Sequence, residues 1–577
     1  MKMSLGWATL GCVVSLSFPA AAWSGEDALM QAMRVELART VAELRMEDLE
    51  APYFVSYTVR DIERIGTQAS FGALLPSLAR RTRRLTVEVR VGESSFDNTN
   101  FLSLSLIDRS SPTTALLPIE DDMVELRRQI WLATDTAYKK ALESLAAKRA
   151  AFTSQTASEQ LGDLSPAEPH IYFEEPDRRL PPLSEVQALV RRLSGLFTGM
   201  PHVMESGARA AVRHRRTYYV NSEGSSFIRN DPAAYLNVVA HTQAPDGSVL
   251  SDFVAAFGAS WDEIAGREEL TGRVTAMGQA LAARRSASAI EDYIGPVLFE
   301  GQAAAELIAQ LLAPRMVGTR APLVDAPPNI SLSVPENPFM NKLGARVMAR
   351  GFSVSDDARL RSDGFLGGYA VDDEAVPAGA TSLVENGVLK TLLTTRNPVR
   401  GVSGSTGNRR GSRVAPSNLL LTSRRGLSRE ELLAELMLLV EERQAEFGVI
   451  VRRLGNPGYR PPPASGSNAS GSRSDVENAT LAYKVYPDRR EELIQAAEFS
   501  AIADYVFKEI VAPSDSPTLY TLSYPPPDSD FQTGIPGFRG NFVSVSVPDL
   551  LFDEMILRKP SGNLPLPPVA GHPFFAE

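Results

Sequence analysis

The stretch "GPVLFEGQAAAELIAQLLAPRM", residues 295–316, predicts a strand that leads directly into a helix. Pro296–Phe299 is a short apolar run of the kind found in buried strands. Apolar residues then recur at the three- and four-residue spacing of an amphipathic helix, at Ala304, Leu307, Ile308, Leu311 and Leu312. A zinc-binding helix would carry His and Glu on its other face. This helix carries Ala309, Gln310 and Pro314 there.

Length and charge limit the classes of protein to consider. A chain of 577 residues is too long for one ordinary core and predicts two or three domains. The net charge of -10 makes nucleic acid a poor partner on electrostatic grounds. The densest basic cluster, Arg80, Arg81, Arg83 and Arg84, is predicted to be a solvated turn before a strand.

The first 22 residues have the pattern of a signal peptide. Lys2 gives a positive start, Leu5–Phe18 is apolar, and Ala20–Ala22 supplies the small residues that a signal peptidase requires. We therefore expect a mature chain that begins at Trp23 and is exported to the periplasm or the exterior. The apolar run is too short to span a bilayer, and no later stretch of about 18 apolar residues follows, so we expect no membrane span.

The single cysteine, Cys12, lies inside this predicted signal. Gly11-Cys12 faintly resembles a lipoprotein site, but Thr9 replaces the usual aliphatic residue. Cleavage near Ala22 would leave a mature chain without a disulfide, a cysteine nucleophile or a thiolate ligand.

The rest of the chain divides near residue 290 into an α+β N-terminal domain, 23–290, and a C-terminal domain, 291–577, that is richer in strands. In the first, "PYFVSYTVRD" (52–61) and "LTVEVRVG" (85–92) alternate like half-buried strands. Helices are predicted at 27–50, 119–149, 183–197 and 261–285.

In the C-terminal half the clearest local signal is "ATSLVENGVLKTLLTTR", in which Asn386-Gly387 predicts a hairpin turn. Further strands are predicted at "SNLLLTS", "FGVIVRRL", "TLAYKVYP" and "NFVSVSV", with helices at 428–444 and 490–508. The Pro, Gly and Ser residues of 461–475 predict an exposed loop.

A series of segments gives this half a family resemblance: "FMNKLGARV", "FSVSDDARL", "GGYAVDDEAVPAGATSLVENGVLKTLLTTR", "GSTGNRRGS", "APSNLLL" and "NFVSVSVPDLLFDEMILRK". Their order resembles the TldD/PmbA (TldE) family of zinc metallopeptidases and non-metal-binding homologues, once described as modulators of DNA gyrase. The resemblance implies a mixed α/β N-terminal domain and a β-rich, barrel-like C-terminal domain.

The resemblance also implies what the opening helix would contain in an active member. There it carries His-Glu-x-x-x-His, and a cysteine near the C-terminus completes the metal site. The three motif positions fall on Ala309, Gln310 and Pro314. Alanine has no donor atom, glutamine is not a base, and proline disfavours a regular helix. We therefore expect no metal and no cofactor.

Histidines and acidic residues elsewhere in the chain are the other candidate ligands. The five histidines, His170, His202, His214, His241 and His572, show no helix-face spacing, so we interpret each as an ordinary surface or core residue. The acidic group comprises Asp356, Asp357, Asp372, Asp373 and Glu374. It could hold a hard cation or act as an acid/base pair. Alternatively, it caps turns and binds backbone amides or arginines.

The segment "GSTGNRR", residues 404–410, could cradle an anion with its backbone amides and with Arg409 and Arg410. It lacks the ending of a nucleotide-binding loop. Either Gly404 and Gly407 only permit a tight loop, with the arginines meeting nearby carboxylates, or the loop lines a substrate site and grips a peptide carboxylate. Asp372, Asp373, Glu374, Arg409 and Arg410 are the candidate binding residues.

Two classes of function follow. The first is a noncatalytic TldE-like protein that binds peptide, or pairs as a homodimer or with an active TldD-like homologue. The second is a peptidase or hydrolase whose site is rebuilt from the acidic cluster and the arginine loop. An exported interaction protein of unrelated role is a third account.

Overall fold

Two large β-sheets, one in each half of the chain, organise the fold. The computed structural model describes residues 27–46, 49–103, 113–153, 161–177, 180–325, 337–402, 404–455, 476–500, 502, 505–524, 528–529, 536–537, 540–560, 568 and 570–573. The predicted signal peptide, with Cys12, and the predicted loop 461–475 lie outside the described residues. None of the described helices has the length and apolar character needed to cross a membrane.

The N-terminal sheet has nine strands, with the central order β10-β9-β8-β1-β3-β4. The strands of this half are β1 (Pro52–Ser70), β2 (Ala73–Leu74), β3 (Leu78–Glu93), β4 (Phe96–Asp97), β5 (Phe101–Ser103), β6 (Thr113–Leu117), β7 (Ile171–Phe173), β8 (Glu205–Asn221), β9 (Ser226–Gln243) and β10 (Val249–Gly258). Long antiparallel pairings join β3 to β1, β1 to β8 and β8 to β9.

Helices cover one face of this sheet and leave the other for the C-terminal half. They are α1 (Ala28–Glu43), α2 (Met123–Thr153), α3 (Leu183–Gly195), α4 (Trp261–Ala265) and α5 (Glu269–Arg284). Val55, Tyr57 and Val59 point into the core with α1 and α2. Successive strand residues alternate between faces, so Ser56 and Thr58 lie on the opposite face.

The C-terminal sheet has eleven strands, with the order β15-β14-β13-β18-β26-β11-β19-β20-β21 and with β22 and β23 paired to β26. The strands of this half are β11 (Asp292–Phe299), β12 (Leu323–Asp325), β13 (Phe352–Asp357), β14 (Ala380–Glu385), β15 (Val388–Leu389), β16 (Arg409–Arg410), β17 (Arg413–Val414), β18 (Asn418–Ser423), β19 (Gly448–Leu454), β20 (Ala479–Val485), β21 (Glu491–Leu493), β22 (Glu498–Phe499), β23 (Ile510–Tyr524), β24 (Asp528–Ser529), β25 (Pro536–Gly537) and β26 (Asn541–Arg558). Its helices are α6 (Gln302–Leu307) and α7 (Arg429–Glu442).

The expected barrel-like C-terminal domain is corrected by this topology. The sheet path ends at β15 on one side and β21 on the other, and no pairing among the described residues joins these two strands. A barrel requires every strand to have two neighbours. The C-terminal half is therefore an open mixed sheet, and the fold is α+β.

The strand and helix predicted at 295–316 are confirmed. β11 lies beside β26 and β19 in the middle of the C-terminal sheet, and α6 follows it. The predicted Asn386-Gly387 turn is also confirmed, because both residues have positive φ, 48° and 80°, between the paired strands β14 and β15.

Two local predictions are wrong. Residues 490–508 do not form one helix: β21 and β22 pair with β20 and β26, and a 3-10 turn follows at Val506–Glu509. Sheet pairing thus overrides the local helical tendency. The basic cluster is not a turn, because Arg80–Arg84 lies within β3, where Arg83 is buried against Asp61.

Candidate functional site

The helix after β11 changes its winding where the motif would lie. α6 continues as a π-helix over Ile308–Leu312 and a 3-10 turn over Ala313–Met316. Pro314 has no N–H for the carbonyl four residues earlier, and its ring would clash there. The Ala313 N–H instead bonds the Ile308 carbonyl, five residues back. Ala309 is buried in the apolar core.

Gln310, at the position of the motif glutamate, connects two backbone segments. Its Nε2 donates to the Gly455 carbonyl at 3.2 Å, and its Oε1 accepts from the Glu477 N–H at 2.8 Å. Gly455 also donates from its backbone to the Asn478 carbonyl at 2.8 Å. Both ends of the Gln310 amide are therefore used in holding β19 and the start of β20 together.

One turn earlier, Glu306 is a buried carboxyl. It accepts hydrogen bonds from Gln302 Nε2 at 2.8 Å and from the Leu454 N–H at 2.7 Å. Burial raises the pKa of Glu306 to about 8, against the opposing effect of these hydrogen bonds and of Arg453. Arg453 is held by Asp252 of β10 at 2.7 Å, so the group ties the helix to the N-terminal sheet.

A cavity of about 650 Å³ is lined by strands β1 and β3 of the N-terminal sheet, by helix α2 and by loops of the C-terminal half. Its floor comes from alternate residues of two paired strands: Ser56, Thr58 and Arg60 of β1, and Thr86, Glu88 and Arg90 of β3. The apolar residues between them pack against the helices, and Val87 and Val89 among them also border the cavity. The alternation that builds the core therefore also builds the cavity floor.

The opposite wall carries three of the candidate binding residues, Asp373, Glu374 and Arg409, together with Arg396. Lys140 of α2 completes the charged lining. The cavity thus joins side chains from distant parts of the sequence. Its volume is in the range of small-molecule and peptide-group sites.

Hydrogen bonds join the acidic segment 372–374 to the arginine loop. Asp372 accepts from the Arg409 N–H at 3.0 Å, and Glu374 accepts from Arg409 Nη1 at 2.7 Å. Asp373 accepts from the Gly411 N–H at 2.5 Å. Burial and the nearby Glu374 charge raise the pKa of Asp372 to about 7, against three backbone hydrogen bonds.

The other two acidic residues lie apart from the cavity lining. Asp356 accepts from Ser417 Oγ at 2.6 Å and from Asn408 Nδ2 at 2.9 Å, and its burial raises its pKa to about 6. Asp357 pairs with exposed Arg359 at 2.9 Å. All five carboxylates therefore contact backbone amides, polar side chains or arginines. This is the arrangement expected if the acidic group caps turns and binds backbone amides or arginines.

Arg410 points away from Arg409, toward the N-terminal sheet. Its guanidinium lies 4.2 Å from the centre of the Tyr369 ring, and its closest carboxylate contact is Asp231 at 3.9 Å. Gly404 and Gly407 have φ of 74° and 75°, which fits the tight loop expected there.

Zinc does not fit the motif positions, because Ala309 and Pro314 have no side-chain donor atoms and both the nitrogen and the oxygen of the Gln310 amide bind the backbone. Within the described residues, no three His, Cys, Asp or Glu side chains are grouped in a way that could hold a metal ion. The histidines are scattered: His202 bonds the Gly278 carbonyl, and His572 contacts the Phe71 ring.

The sequence did not indicate five of the eight charged residues that line the cavity. Arg60, Glu88, Arg90, Lys140 and Arg396 line it and were not candidates. A signal existed in the two alternating strands, because the residues between the apolar ones include Arg60, Glu88 and Arg90. The strand sequences do not indicate which residues of the C-terminal half pack against that polar face.

Comparisons with known proteins agree with this architecture. A family model described as the PmbA/TldA metallopeptidase C-terminal domain matches residues 293–453. A metalloprotease of Methanocaldococcus jannaschii is 45% identical over 58 residues. This match covers 10% of this chain and only 12% of that relative. Residues 293–453 are therefore similar to the C-terminal domain of the TldD/PmbA metallopeptidases.

Solved structures extend the likeness in fold to nearly the whole chain. TldE from Thermococcus kodakarensis aligns with a TM-score of 0.56 and 14% identity, covering 92% of this chain and all of that one (100%). A proposed modulator of DNA gyrase from Thermotoga maritima gives 0.54 and 13%, covering 87% and 96%. A second, from Bacteroides thetaiotaomicron, gives 0.54 and 10%, covering 92% and 98%. At these identities the TldD/PmbA likeness outside 293–453 concerns the fold alone.

Proposed function

We propose that this chain is a TldD/PmbA-family protein that has lost the zinc site and acts without its own peptidase chemistry, as a TldE-like partner subunit or a peptide-binding scaffold. The main observation behind the proposal is that the Gln310 side chain is hydrogen-bonded to the backbone. Where an active member needs a base, both polar atoms of this side chain bind the backbone of Gly455 and Glu477. A glutamine amide has no basic site for a proton.

The surroundings support the same proposal. Ala309 and Pro314 cannot replace the two histidines. The π-helical segment also shifts the side chains away from the positions they would have on a regular α-helix. The fold around them is nevertheless kept, with the helix packed in the core of the C-terminal sheet. A fold that persists without its chemistry suits a binding or partner role.

The alternative of a rebuilt hydrolase receives less support. Asp372 is fully buried and accepts backbone hydrogen bonds, so it is not open to substrate. Arginines hold the pKa of Asp373 far below its usual range, despite the opposing effect of burial, so Asp373 is a poor proton acceptor. We therefore place peptide binding, rather than hydrolysis, in the cavity.

We also propose that the chain is exported after cleavage near Ala22, and that the domain boundary lies near residue 290. N-terminal sequencing of periplasmic or secreted material tests the first. A first residue at or near Trp23 is expected. Full-length protein in the cytosol would contradict export.

The partner role is tested by a cleavage assay with an exported relative that carries His-Glu-x-x-x-His. We expect the full chain alone to leave an unfolded peptide intact, and the mixture to cleave it in a manner abolished by a chelator. Cleavage by this chain alone that resists the chelator, and is lost in Asp372→Asn with Asp373→Asn, would establish the rebuilt hydrolase instead. The double variant Asp488→Asn with Asp553→Asn removes the charge of two exposed aspartates and serves as the control.

A further inference from the structure

Lys140 of α2 differs from the other charged residues that line the cavity. Each of the others contacts a side chain of opposite charge. Their ion pairs are Arg60–Asp373 at 3.0 Å, Arg90–Glu88 at 2.7 Å, Arg396–Glu223 at 2.5 Å and Arg409–Glu374 at 2.7 Å. The Lys140 ammonium has no ion pair or hydrogen bond with any residue that the structure describes.

The preceding lysine on the same helix shows the usual arrangement. Lys139 is 56% exposed and pairs with Asp135, one turn earlier, at 2.7 Å. Lys140 is half-buried and lines the cavity. A cation that is partly shielded from water interacts more strongly with an anion than an exposed cation does. The cavity therefore offers one positive charge that the fold does not use.

Three threonines form a row of hydroxyl groups along the cavity wall. In the sheet register Thr58 of β1 lies opposite Thr86 of β3, and Thr86 lies opposite Thr114 of β6. Directly paired residues point to the same face of a sheet, so the three side chains are neighbours. All three line the cavity. We call them the threonine row.

The hydroxyls of the threonine row are not used within the protein. Threonines opposite each other in a sheet can bond one another. Across the described part of the chain, however, none of these three hydroxyls has a hydrogen-bond partner. Thr58 is 9% exposed and Thr114 is exposed, so the row leads from the interior of the cavity toward solvent. Each hydroxyl can both donate and accept, which suits the N–H and C=O groups of an amide.

These two features together select a ligand with one negative charge and several neutral polar groups. A carboxylate brings the single charge that Lys140 can match. A phosphate dianion brings a second charge, and Glu88 and Glu374 line the same cavity and would repel it. The arginines that could compensate already contact carboxylates.

We infer that the cavity binds a short peptide through one carboxylate, paired with Lys140, and through backbone amides that bond the threonine row. The inference rests on the proposed peptide-binding function and names the groups that are recognised. Every residue to which it assigns a contact lines the cavity.

The test measures binding of three probe peptides to the full chain by calorimetry: acetyl-tetra-alanine with a free C-terminal carboxylate, its C-terminal amide, and an amide with one internal glutamate. We expect a peptide with a carboxylate to bind about tenfold more tightly than the neutral amide, and added salt to reduce that difference. The better of the two acidic peptides identifies the carboxylate as terminal or as a side chain.

Variants of the two lysines locate the charge. Lys140→Met should remove the preference for a carboxylate, and Lys140→Arg should keep most of it. Lys139→Met removes the same charge one residue earlier and should keep the preference unchanged. Equal losses in Lys139→Met and Lys140→Met would show a general effect of charge and overturn the assignment to Lys140.

The threonine row is tested by Thr86→Val, which removes the hydroxyl and keeps the shape. It should weaken binding of all three peptides several-fold without lowering the melting temperature, because the hydroxyl has no partner within the described structure to lose. Thr82→Val, one turn of the pleat further along β3 and outside the cavity lining, is the control and should bind like the wild type. Unchanged binding in Thr86→Val, or a fall in its melting temperature that accounts for weaker binding, would overturn the role of the row.

The remaining outcomes separate this inference from the function on which it rests. Equal affinity for the acidic and neutral peptides would overturn the carboxylate contact and leave peptide binding intact. Inorganic phosphate that binds as tightly as the acidic peptides, and is lost in Lys140→Met, would replace it with a general anion site. If none of the peptides binds at millimolar concentration, the inference and the peptide-binding role both fail.

Discussion

The helix at residues 302–316 and the cavity wall at residues 372–374 belong to the same half of the chain, but their polar groups differ in availability. On the helix, Gln310 and Glu306 are both hydrogen-bonded to backbone N–H or C=O groups of the β19 and β20 segments. On the cavity wall, Asp373 and Glu374 bind arginines and also border open volume.

This difference indicates where a ligand can act. The apolar side chains of the helix pack in the core of the C-terminal sheet, and Glu306 and Gln310 bind the backbone of neighbouring segments. Charges at the cavity remain accessible at Arg60, Glu88 and Lys140. The helix thus contributes to the structure, and the accessible charge lies at the cavity. The following predictions test that division.

The largest effect is expected at Asp373. Asp373→Asn removes the charge that neutralises Arg229 and Arg60, and should lower the free energy of unfolding by about 3–5 kcal/mol. Urea unfolding at pH 7 measures it. Asp357→Asn, which disrupts a solvent-exposed pair with Arg359, is the control and should change little. Equal effects of the two substitutions would show that the cavity wall does not depend on buried charge.

A smaller loss is expected at Gly407, which presents Arg409 to the cavity. A Cβ there would lie 2.8 Å from the Pro377 carbonyl, and φ is 75°. Gly407→Ala should cost about 2–4 kcal/mol. Gly404→Ala is the matched control: its φ is 74°, but no described atom lies within 4 Å, so only about 1 kcal/mol of strain is expected. Thermal unfolding of both variants compares them, and a larger loss at Gly404 would contradict the packing argument.

For the helix, Gln310→Ala should lower the free energy of unfolding by about 1–3 kcal/mol, because the Glu477 N–H and the Gly455 carbonyl lose their partner. Gln310→Glu should also destabilise, since a carboxylate cannot donate to Gly455. Chemical denaturation is the measurement. Gln129→Ala, on a surface helix, serves as the control. An unfolding curve unchanged by Gln310→Ala would refute the structural role of this amide.

At Glu306 the expected effect is a change in the pH dependence of stability. Burial raises its pKa from 4.5 to about 8 in the fold, so the unfolded chain releases this proton first as the pH rises. The stabilisation is complete below pH 4.5 and is lost as the pH passes about 8. Glu306→Gln should therefore flatten the fall in unfolding free energy between pH 5 and 9. If wild type and variant fall in parallel, Glu306 is not protonated in the fold.

Local sequence patterns predicted the secondary structure correctly where it depends on residues that are close in sequence. The helix after β11 follows from its apolar spacing, and the turn at Asn386-Gly387 follows from the need for positive φ. Prediction failed at 490–508, where short strands depend on pairing with β20 and β26. The open edge of the C-terminal sheet is likewise a property of long-range pairing, which residue spacing does not encode.

The candidate site shows the same limit. Asp373, Glu374 and Arg409 could be proposed because they lie in short charged segments. Arg60 and Glu88 lie on strands more than 280 residues before Asp373 in sequence, and only the packing of the two halves brings them to one cavity. Arg410 was a candidate together with Arg409, but adjacent residues of a strand point to opposite sides, so Arg410 lies beside Tyr369 and Asp231 and does not line the cavity.

The central claim is that the helix at 302–316 no longer holds a metal, and the zinc content of the purified full chain tests it most directly. The protein is expressed with added zinc, purified without chelator, dialysed and analysed by mass spectrometry, beside a relative that carries His-Glu-x-x-x-His. We predict that the relative retains about one zinc ion per chain and that this protein retains far less than one. About one tightly held zinc per chain in this protein would contradict the account.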